Sequence, residues 1–285
     1  GAQAELKRQV VAEQLERLAG IAWDGTVETV TPVTRWRTRV RYHADAAGWG
    51  MHPVRSNDVV PLPDQGCLIA APGLAKPPTD VRGDTARGVQ SAEGVRWLRS
   101  DADVTVREEA AGRSWAVRGD GFWQVHHQAA DTLVEAVLAG LEPRPGERAF
   151  DFYCGVGLFA GALVDAGVRV VGIEGSRTAV QLAEANVPEA RFVAGSVDKQ
   201  LGRLPSRCDL IVLDPPRVGA GKTVMDAIGA RRPRAVAYVA CDPASLGRDV
   251  GYALKAGWEV ESLRAFDLFG MTHHVECVAI LHPVS

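Results

Sequence analysis

Apolar and polar positions along the chain follow two periodicities, and these divide it into two stretches. From residue 148 onward, short apolar runs alternate with segments in which apolar residues recur every three or four positions. Short apolar runs are typical of buried parallel strands, and the longer period is typical of the helices that cover them. The second stretch is therefore predicted to have an α/β fold with a doubly wound, mostly parallel sheet.

The elements predicted for this stretch can be given by residue range. The strands are predicted over 148–151, 168–174, 190–194, 208–214, 235–240, 258–264 and 275–281. The helices are predicted over 158–166, 177–186, 223–229 and 244–256, after an earlier helix that continues to about residue 140. Ligands of such sheets bind beyond the carboxyl ends of the strands, so the residues that follow each strand are the candidates for function.

The stretch before residue 120 has shorter and less regular patterns. An apolar stripe at helical spacing predicts a helix over 6–18, and residues 76–92, rich in Pro, Gly and Asp, are predicted to form a loop. Strands are predicted over 35–42, 49–54, 95–106 and 113–117. We therefore expect a small α+β domain over 1–120, followed by the α/β domain over 121–285.

Four arginines alternate with other residues in the first predicted strand. Because side chains on a strand have period two, they are predicted to share one face and form an anion-binding surface. A solvated edge strand with acidic partners is the alternative, but no acidic run lies nearby in the sequence. The pattern predicts contact with a phosphate backbone through Arg35, Arg37, Arg39 and Arg41.

Composition argues against several classes of protein. The formal net charge of -3 gives no global reason to expect nucleic acid. No apolar run approaches 18 residues and no signal-peptide pattern is present, so neither membrane insertion nor secretion is expected. The five cysteines are widely spaced with no C-x-x-C pair, which argues against a disulfide scaffold and favours a cytoplasmic location.

Cys241 directly follows the apolar strand 235–240, and Asp242-Pro243 then starts a helix. The thiol is therefore predicted at the carboxyl end of a strand and beside a helix amino terminus, which would lower its pKa and favour the thiolate. A buried structural cysteine is the alternative for the same position. We predict that Cys241 is a nucleophile.

A glycine-containing loop follows the predicted strand 148–151 and begins with Asp151. Gly155 and Gly157 would let the backbone approach a ligand closely, and Glu174, at the end of the next strand, could accept both hydroxyls of a ribose. The leading acid would repel a phosphate and suits a cationic ligand. The pattern favours S-adenosylmethionine, with a purely structural glycine turn as the alternative.

Asp214 ends another strand at the same rim, in the sequence Asp-Pro-Pro-Arg. The two prolines hold the backbone extended and direct the carboxylate into the crevice. Amine-methylating enzymes carry an aromatic residue after the prolines, whereas this chain has Arg217. The segment therefore argues against amine methylation.

Taken together, these motifs resemble those of the RNA (uracil-5-)-methyltransferase family, which acts on tRNA and ribosomal RNA. The resemblance rests on the loop 151–157, on Ile173-Glu174-Gly175, on Asp214-Pro215-Pro216-Arg217, on the segment 241–249 and on His273-His274-Val275-Glu276-Cys277. It implies a Rossmann-like class I methyltransferase fold, S-adenosylmethionine as cofactor, and a monomer that methylates carbon-5 of a uridine in rRNA or tRNA.

The resemblance also implies roles for individual residues. Cys241 would add to carbon-6 of the uracil and Glu276 would remove the carbon-5 proton. The target base must leave its stack, and Phe122 and Trp123 could stack on it or pack in the core. The implied cofactor contacts are Gln124, Tyr153, Glu174 and Asp214.

Many members of the family hold a [4Fe-4S] cluster with four cysteines, and the context of Cys67 matches the last of these ligands. One thiolate cannot hold such a cluster, so none is expected in this chain. The other three ligands, and a small β-barrel domain, would precede Gly1. We interpret the chain as a truncated form, in which the 1–120 domain contacts RNA.

Two other functions remain open from the sequence. An RNA cytosine-5 methyltransferase shares the fold and the thiolate chemistry, but the Pro-Cys pair expected after the rim aspartate is absent at Pro216-Arg217. A catalytically weak RNA-binding protein is favoured by Leu158, which stands where the family commonly has Asn. The presence of Cys241, Glu276 and Asp214 together argues against it, although an inactive protein could retain them.

Overall fold

The computed structural model describes residues 1–46, 48–53, 56–81, 83–98 and 103–284. The chain forms two compact units. The first comprises Gly1–Val30, Ala130–Leu268 and Thr272–Ser285, and the second comprises Thr31–Ala129 and Phe269–Met271. This division differs from the predicted boundary at residue 120, because the chain begins in the first unit and returns to it.

The helices and strands of the described residues are as follows. The helices are α1 (Ala2–Ala19), α2 (Ala129–Leu141), α3 (Leu158–Asp165), α4 (Arg177–Asn186), α5 (Val197–Gln200), α6 (Lys222–Arg231) and α7 (Pro243–Lys255), with short 3₁₀ helices at Pro72–Leu74 and Leu201–Arg203. The strands are β1 (Val27–Thr29), β2 (Arg39–Asp45), β3 (Gly48–Met51), β4 (Val60–Pro61), β5 (Thr85–Ser91), β6 (Gly94–Leu98), β7 (Thr105–Ala110), β8 (Arg113–Arg118), β9 (Arg148–Phe152), β10 (Arg169–Glu174), β11 (Arg191–Ala194), β12 (Leu210–Leu213), β13 (Ala235–Ala240), β14 (Trp258–Asp267) and β15 (Glu276–Pro283). Among these described helices, none has the length and apolar character needed to cross a membrane.

The first unit is built on an eight-stranded sheet in the order β1-β14-β15-β13-β12-β9-β10-β11. β15 is antiparallel to both of its neighbours, and the other pairs in this sheet are parallel. The predicted α/β fold with a mostly parallel sheet is confirmed. The antiparallel strand matters for function, because its amino end lies at the edge where its neighbours have their carboxyl ends.

The centre of this sheet explains why its strands are continuous apolar runs. Every residue of β12 and of β13 is buried, as expected for strands covered by helices on both faces. Phe150, Phe152, Leu213 and Tyr238 belong to one core cluster of this unit. The alternation predicted from residue 148 onward therefore matches the observed elements within a few residues at each end.

The first thirty residues join the first unit through α1 and β1. Cβ atoms added at Gly247 and Gly251 of α7 would lie 2.9 and 2.8 Å from backbone oxygens of α1, so the two glycines allow these helices to pack closely. β1 pairs in parallel with β14, with Val27 opposite Ala265. These contacts are why α1, predicted within the small domain, belongs to the α/β unit.

The second unit contains a five-stranded antiparallel sheet, in the order β4-β3-β2-β5-β6, and the hairpin β7-β8. The prediction of a loop over 76–92 is wrong in part, because β5 lies within it and pairs with both β2 and β6. The predicted strand 95–106 corresponds to the end of β6 and the start of β7. Its residues 99–102, and Val54 of the predicted strand 49–54, lie outside the described residues.

Candidate active site

One edge of the eight-stranded sheet brings together the candidate residues of the first unit. Five adjacent strands, β15, β13, β12, β9 and β10, meet this edge in that order, with about 4.8 Å between neighbours. Each contributes a residue at its end or directly after it. In the order of the strands these are Glu276, Cys241, Asp214, Tyr153 and Glu174.

Cys241 and Glu276 adjoin the last pair of the β13–β15 ladder. That pair is Ala240 with Cys277; Cys241 directly follows β13, and Glu276 is the first residue of β15. The charge of Glu276 raises the pKa of the Cys241 thiol, as expected of side chains that lie close together. The two residues given complementary roles in the sequence analysis are therefore neighbours.

The expected lowering of the Cys241 pKa is wrong. Burial raises the pKa of this thiol to about 11, and the charges of Glu276 and Asp214 raise it further, while Arg217 lowers it. Asp242 caps α7 by accepting a hydrogen bond of 2.7 Å from the backbone N–H of Ser245. The helix amino terminus is present as predicted, but desolvation and two nearby carboxyl groups outweigh it.

Two carboxyl groups on this edge have raised pKa values. Burial raises the pKa of Asp214 to about 7. Burial also raises the pKa of Glu276 well above its ordinary value, with a further contribution from the charge of Asp214. Carboxyl groups with raised pKa values are candidates for general acid–base chemistry.

Arg217 and His274 extend the site beyond the residues assigned from the sequence. Nη2 of Arg217 lies 3.2 Å from Nε2 of His274, which precedes Glu276 by two residues. The charge of Arg217 lowers the pKa of both Cys241 and Glu276. The sequence analysis used Arg217 only to exclude amine methylation, although its place directly after Asp214-Pro215-Pro216 was a signal that it reaches the same edge.

The glycine loop after β9 has the geometry expected of a ligand-binding turn. Gly155 and Gly157 have φ angles of 55° and 97°, in the region that favours glycine. The backbone N–H of Gly155 donates a hydrogen bond of 3.1 Å to Oε2 of Glu174, so the loop and the end of β10 are in contact. A Cβ at Gly155 would meet no atom within 4 Å, which leaves open space beside the loop. Tyr153 also has a positive φ, of 62°, at the start of the turn.

Asp151 lies inside the fold rather than on the surface of the loop. Its side chain is fully buried in β9, and Oδ2 accepts a hydrogen bond of 2.9 Å from the backbone N–H of Ala160 in α3. Burial raises the pKa of this carboxyl group well above its ordinary value. Oδ1 has no hydrogen-bond partner among the described residues. One oxygen of this carboxyl group therefore anchors α3, and the other is enclosed by the fold.

The aromatic pair and the glutamine predicted near the site belong to the second unit. Trp123 is buried, with its ring centroid 6.1 Å from that of Trp115, so it packs in a core. Phe122 is 74% exposed and remains a candidate for stacking on a base. Gln124 is buried, and its cofactor contact stays a prediction.

The prediction that one strand carries all four arginines is wrong. Arg35 has a φ of 60° and, like Arg37, precedes β2, which begins at Arg39. Nη2 of Arg39 forms an ion pair of 2.9 Å with Glu108, and its Nη1 donates to three backbone oxygens. Glu108 of β7 is therefore an acidic partner that the sequence near the arginines did not show. Arg39 has a structural role.

Arg41 is the exposed member of the four. It lies in β2 directly opposite Arg87 of β5. Like charges placed opposite each other in a sheet are unfavourable unless an anion lies between them. Arg87 is 3.9 Å from Asp120, a long ion pair. Arg41 and Arg87 are therefore the candidates for phosphate contact on this sheet. Of the four arginines first predicted for this role, only Arg41 is one of the two.

Cys67 is buried in the core of the second unit, in a cluster with Val40, Tyr42 and Leu74. Within the described residues, no group of three or more His, Cys, Asp or Glu side chains could hold a metal ion. The role of Cys67 as the last ligand of an iron-sulfur cluster stays a prediction. Cys67 acts here as an apolar core residue.

The chain is similar to several known proteins. A family model described as tRNA (Uracil-5-)-methyltransferase matches residues 198–284. A Streptomyces avermitilis protein described as an uncharacterized RNA methyltransferase is 43% identical over 344 residues, covering 100% of this chain and 78% of that protein. A similarly described protein of Streptomyces coelicolor is 43% identical over 345 residues, covering 100% and 74%. Among solved structures, the Pyrococcus abyssi tRNA (uracil-54, C5)-methyltransferase in complex with S-adenosyl-L-homocysteine has a TM-score of 0.74 at 20% identity, covering 98% of this chain and 83% of that one, and so shares the fold.

Proposed function

Because the chain belongs to the RNA (uracil-5-)-methyltransferase family, we propose that it transfers a methyl group from S-adenosylmethionine to carbon-5 of a uridine in rRNA or tRNA. The reaction would proceed through a covalent bond between Cys241 and the uracil. The observation that carries this proposal is that Cys241 and Glu276 adjoin the same strand pair at the ends of β13 and β15. A nucleophile and a base on neighbouring strands can act on adjacent atoms of one ring.

The residues of the β9–β10 edge fit S-adenosylmethionine. The open space beside Gly155 would take the cofactor against the backbone, and the Glu174 carboxylate would accept its ribose hydroxyls. When bound, the cofactor supplies an electrophilic methyl group. Tyr153 and Gly157 complete the loop that would hold it.

The thiolate of Cys241 would form a bond from Sγ to carbon-6 of the uracil, and the electron pair of the 5,6 double bond would move toward the ring carbonyl at carbon-4. Carbon-5 thereby becomes nucleophilic and would form a bond to the methyl carbon, while the electron pair of the sulfur–methyl bond would stay on the sulfur of the cofactor. Glu276, in its ionised form, would then take the proton from carbon-5. The electron pair released at carbon-5 restores the double bond and expels Cys241 as a thiolate.

The pKa values at this edge of the sheet suit that order of reaction steps. A Cys241 thiol with a pKa of about 11 is mostly protonated in the free protein, so its activation requires loss of a proton to a nearby group. Glu276 and Asp214 both have raised pKa values, and a carboxylate of raised pKa is a stronger base than an exposed one. Arg217 would favour the thiolate by its positive charge.

A denaturing gel tests the proposal. The protein is incubated with S-adenosylmethionine and 5-fluorouridine-substituted RNA, with tRNA and large-subunit rRNA transcripts in separate reactions. Fluorine at carbon-5 prevents the final proton removal, so a covalent adduct of protein and RNA should accumulate. Cys241→Ala should abolish the adduct, whereas Cys277→Ala, a fully buried thiol one residue from Glu276, should retain it.

The outcomes separate the alternatives. An adduct that survives in Cys241→Ala would overturn the assignment of the nucleophile. An adduct with 5-fluorocytidine RNA but not with the uridine analogue would indicate a cytosine-5 enzyme. Binding of S-adenosylmethionine and RNA without any adduct would favour the RNA-binding alternative. The RNA class that yields the adduct identifies the substrate class.

A further inference from the structure

Asp249 of α7 is a fully buried carboxylate that none of the proposed catalytic steps uses. Its Oδ2 accepts hydrogen bonds from the Tyr238 hydroxyl at 2.7 Å, from the backbone N–H of Ala220 at 2.7 Å and from that of Gly221 at 3.1 Å. Its Oδ1 accepts one from Nε of Arg248 at 2.9 Å. Two of these donors lie in the segment that follows β12.

That segment, Asp214–Gly221, is here called the rim loop. It begins with Asp214 and contains Arg217, which contacts His274. Arg248 also holds the rim loop to α7, because its Nη2 donates a hydrogen bond of 2.7 Å to the backbone oxygen of Val218. The Tyr238 hydroxyl also accepts a hydrogen bond of 3.1 Å from the N–H of Ala220. The far end of the rim loop is thus held by three side chains from β13 and α7.

The contacts leave no space between the rim loop and α7. A Cβ added at Gly219 would lie 2.5 Å from Oδ2 of Asp249 and 2.5 Å from Nη2 of Arg248. Gly219 has a φ of 79° and donates a hydrogen bond of 2.7 Å to Pro216 in a tight turn. A side chain there would push the loop and the two α7 side chains apart.

We propose that Asp249, together with Tyr238 and Arg248, is a positioning residue that fixes the rim loop so that Arg217 stays beside Cys241 and His274. Asp249 touches neither substrate nor cofactor in this role and acts through the loop. The inference rests on the proposed function, in which Cys241 is the nucleophile. It explains why a carboxylate is fully buried on a helix whose other buried residues are uncharged.

The reactivity of Cys241 provides a readout that a purely structural role would leave unchanged. The charged groups that act on this thiol are Glu276 of β15, and Asp214 and Arg217 of the rim loop. Of these, Arg217 favours the thiolate. Asp214 begins the rim loop and is held at the end of β12, because its N–H donates a hydrogen bond of 3.2 Å to the backbone oxygen of Phe152. If the far end of the rim loop loses its attachment, Arg217 moves away while Asp214 stays, and alkylation of Cys241 at a given pH becomes slower.

The experiment measures the rate of Cys241 alkylation by iodoacetamide against pH, with the modified peptide quantified by mass spectrometry. Arg217→Ala shows by how much, and in which direction, loss of the positive charge changes the alkylation rate of Cys241. Gly219→Ala and Asp249→Asn disturb the attachment from its two sides, and Tyr238→Phe removes one donor. We expect Gly219→Ala and Asp249→Asn to slow alkylation by about threefold to tenfold at fixed pH, because one pKa unit changes the thiolate fraction tenfold.

Gly229→Ala in α6 is the matched control. It makes the same chemical change, but its Cβ would meet only Trp258 Nε1, at an ordinary 3.5 Å. This variant should retain the wild-type alkylation profile. Thermal unfolding of each variant identifies any that has lost its fold, and Gly219→Ala and Tyr238→Phe remain informative if Asp249→Asn does not fold.

The proposal is overturned if the folded Gly219→Ala and Asp249→Asn variants keep the wild-type profile, or if they react faster while Arg217→Ala reacts more slowly. Equal profiles for Arg217→Ala and the wild type would overturn it as well. Alkylation needs neither RNA nor S-adenosylmethionine, so its result is independent of the covalent-adduct assay. Failure of the proposed function and failure of this inference are therefore distinguishable.

Discussion

Cys241, directly after β13, and Glu276, at the start of β15, adjoin the same strand pair, Ala240 with Cys277, although 35 residues separate them in the chain. The relationship exists because β15 runs against its neighbours, so that its first residue lies where β13 ends. A parallel final strand would place its carboxyl end at this edge instead. The direction of one strand thus creates the pairing of nucleophile and base.

Glu276→Gln should separate the first half of the reaction from the second. The amide cannot accept the carbon-5 proton, so turnover should fall by about 10²–10⁴ while the covalent bond to Cys241 still forms. A protein–RNA adduct should therefore accumulate with ordinary, unfluorinated RNA on a denaturing gel. Glu261→Gln, on the exposed part of β14, makes the same change and should retain turnover. Normal turnover in Glu276→Gln would remove Glu276 from the mechanism.

The alkylation rate of Cys241 should depend strongly on pH. Because only the thiolate reacts and the pKa is about 11, the rate should rise about tenfold per pH unit from pH 7 to near 11. Asp214 has a pKa of about 7, so above that pH its negative charge disfavours the thiolate. Asp214→Asn should then accelerate alkylation above pH 7, whereas Asp226→Asn on α6 should not. A plateau below pH 9 in the wild type would contradict the raised pKa.

Glu174→Gln should weaken S-adenosylmethionine binding without affecting RNA affinity. The amide keeps one oxygen that can accept the bond from Gly155, but it loses the charge and one of the two ribose acceptors. We expect at least about a tenfold rise in the dissociation constant, equivalent to about 1.4 kcal/mol, measured by calorimetry. Glu189→Gln, just beyond α4, is the control. Unchanged cofactor affinity would place the ribose elsewhere.

Arg39 and Arg41 should behave differently although they lie two residues apart. Arg39→Ala would leave Glu108 and three backbone oxygens without their donor, so we expect a loss of about 3–5 kcal/mol in the stability of the second unit. Arg41→Ala is exposed and should change stability by less than about 0.5 kcal/mol. Chemical denaturation distinguishes the two, and equal losses would show that Arg41 is also structural.

Arg41→Ala should instead affect RNA binding. Loss of one phosphate contact should weaken binding across RNA sequences and reduce the slope of log affinity against log salt by about 0.7–0.9. Arg144→Ala, an exposed arginine of the first unit, serves as the charge-matched control. If both variants change the salt dependence equally, the effect is one of net charge rather than of this sheet face.

The sequence was sufficient to predict the parts of the fold that rest on local patterns. Strands such as 235–240 are continuous apolar runs, so their position, and hence that of Cys241, follows from periodicity. Glu276 could be assigned only by resemblance, because no local pattern reveals that β15 is antiparallel. Register between distant strands is a property of the whole sheet.

Other features depended on contacts far apart in sequence. Glu108 lies 69 residues from Arg39, so their ion pair left no local trace and the arginines seemed free on one strand face. The pKa of Cys241 depends on desolvation, which a sequence does not display. The hydrogen bonds of Asp249 could not be predicted either, because its donors come from a loop and a strand that only the fold brings near.

The discontinuity of the first unit has a consequence for folding during synthesis. Val27 of β1 pairs with Ala265 of β14, which is translated 238 residues later. At about 5–20 residues per second, that delay amounts to roughly 12–48 seconds. Throughout it, Val11 and Leu15 of α1 lack the core in which they are finally buried. The nascent chain therefore carries the apolar stripe of α1 unburied until the last strands of the sheet have been translated, and a ribosome-associated chaperone that shields this segment should raise the yield of folded protein.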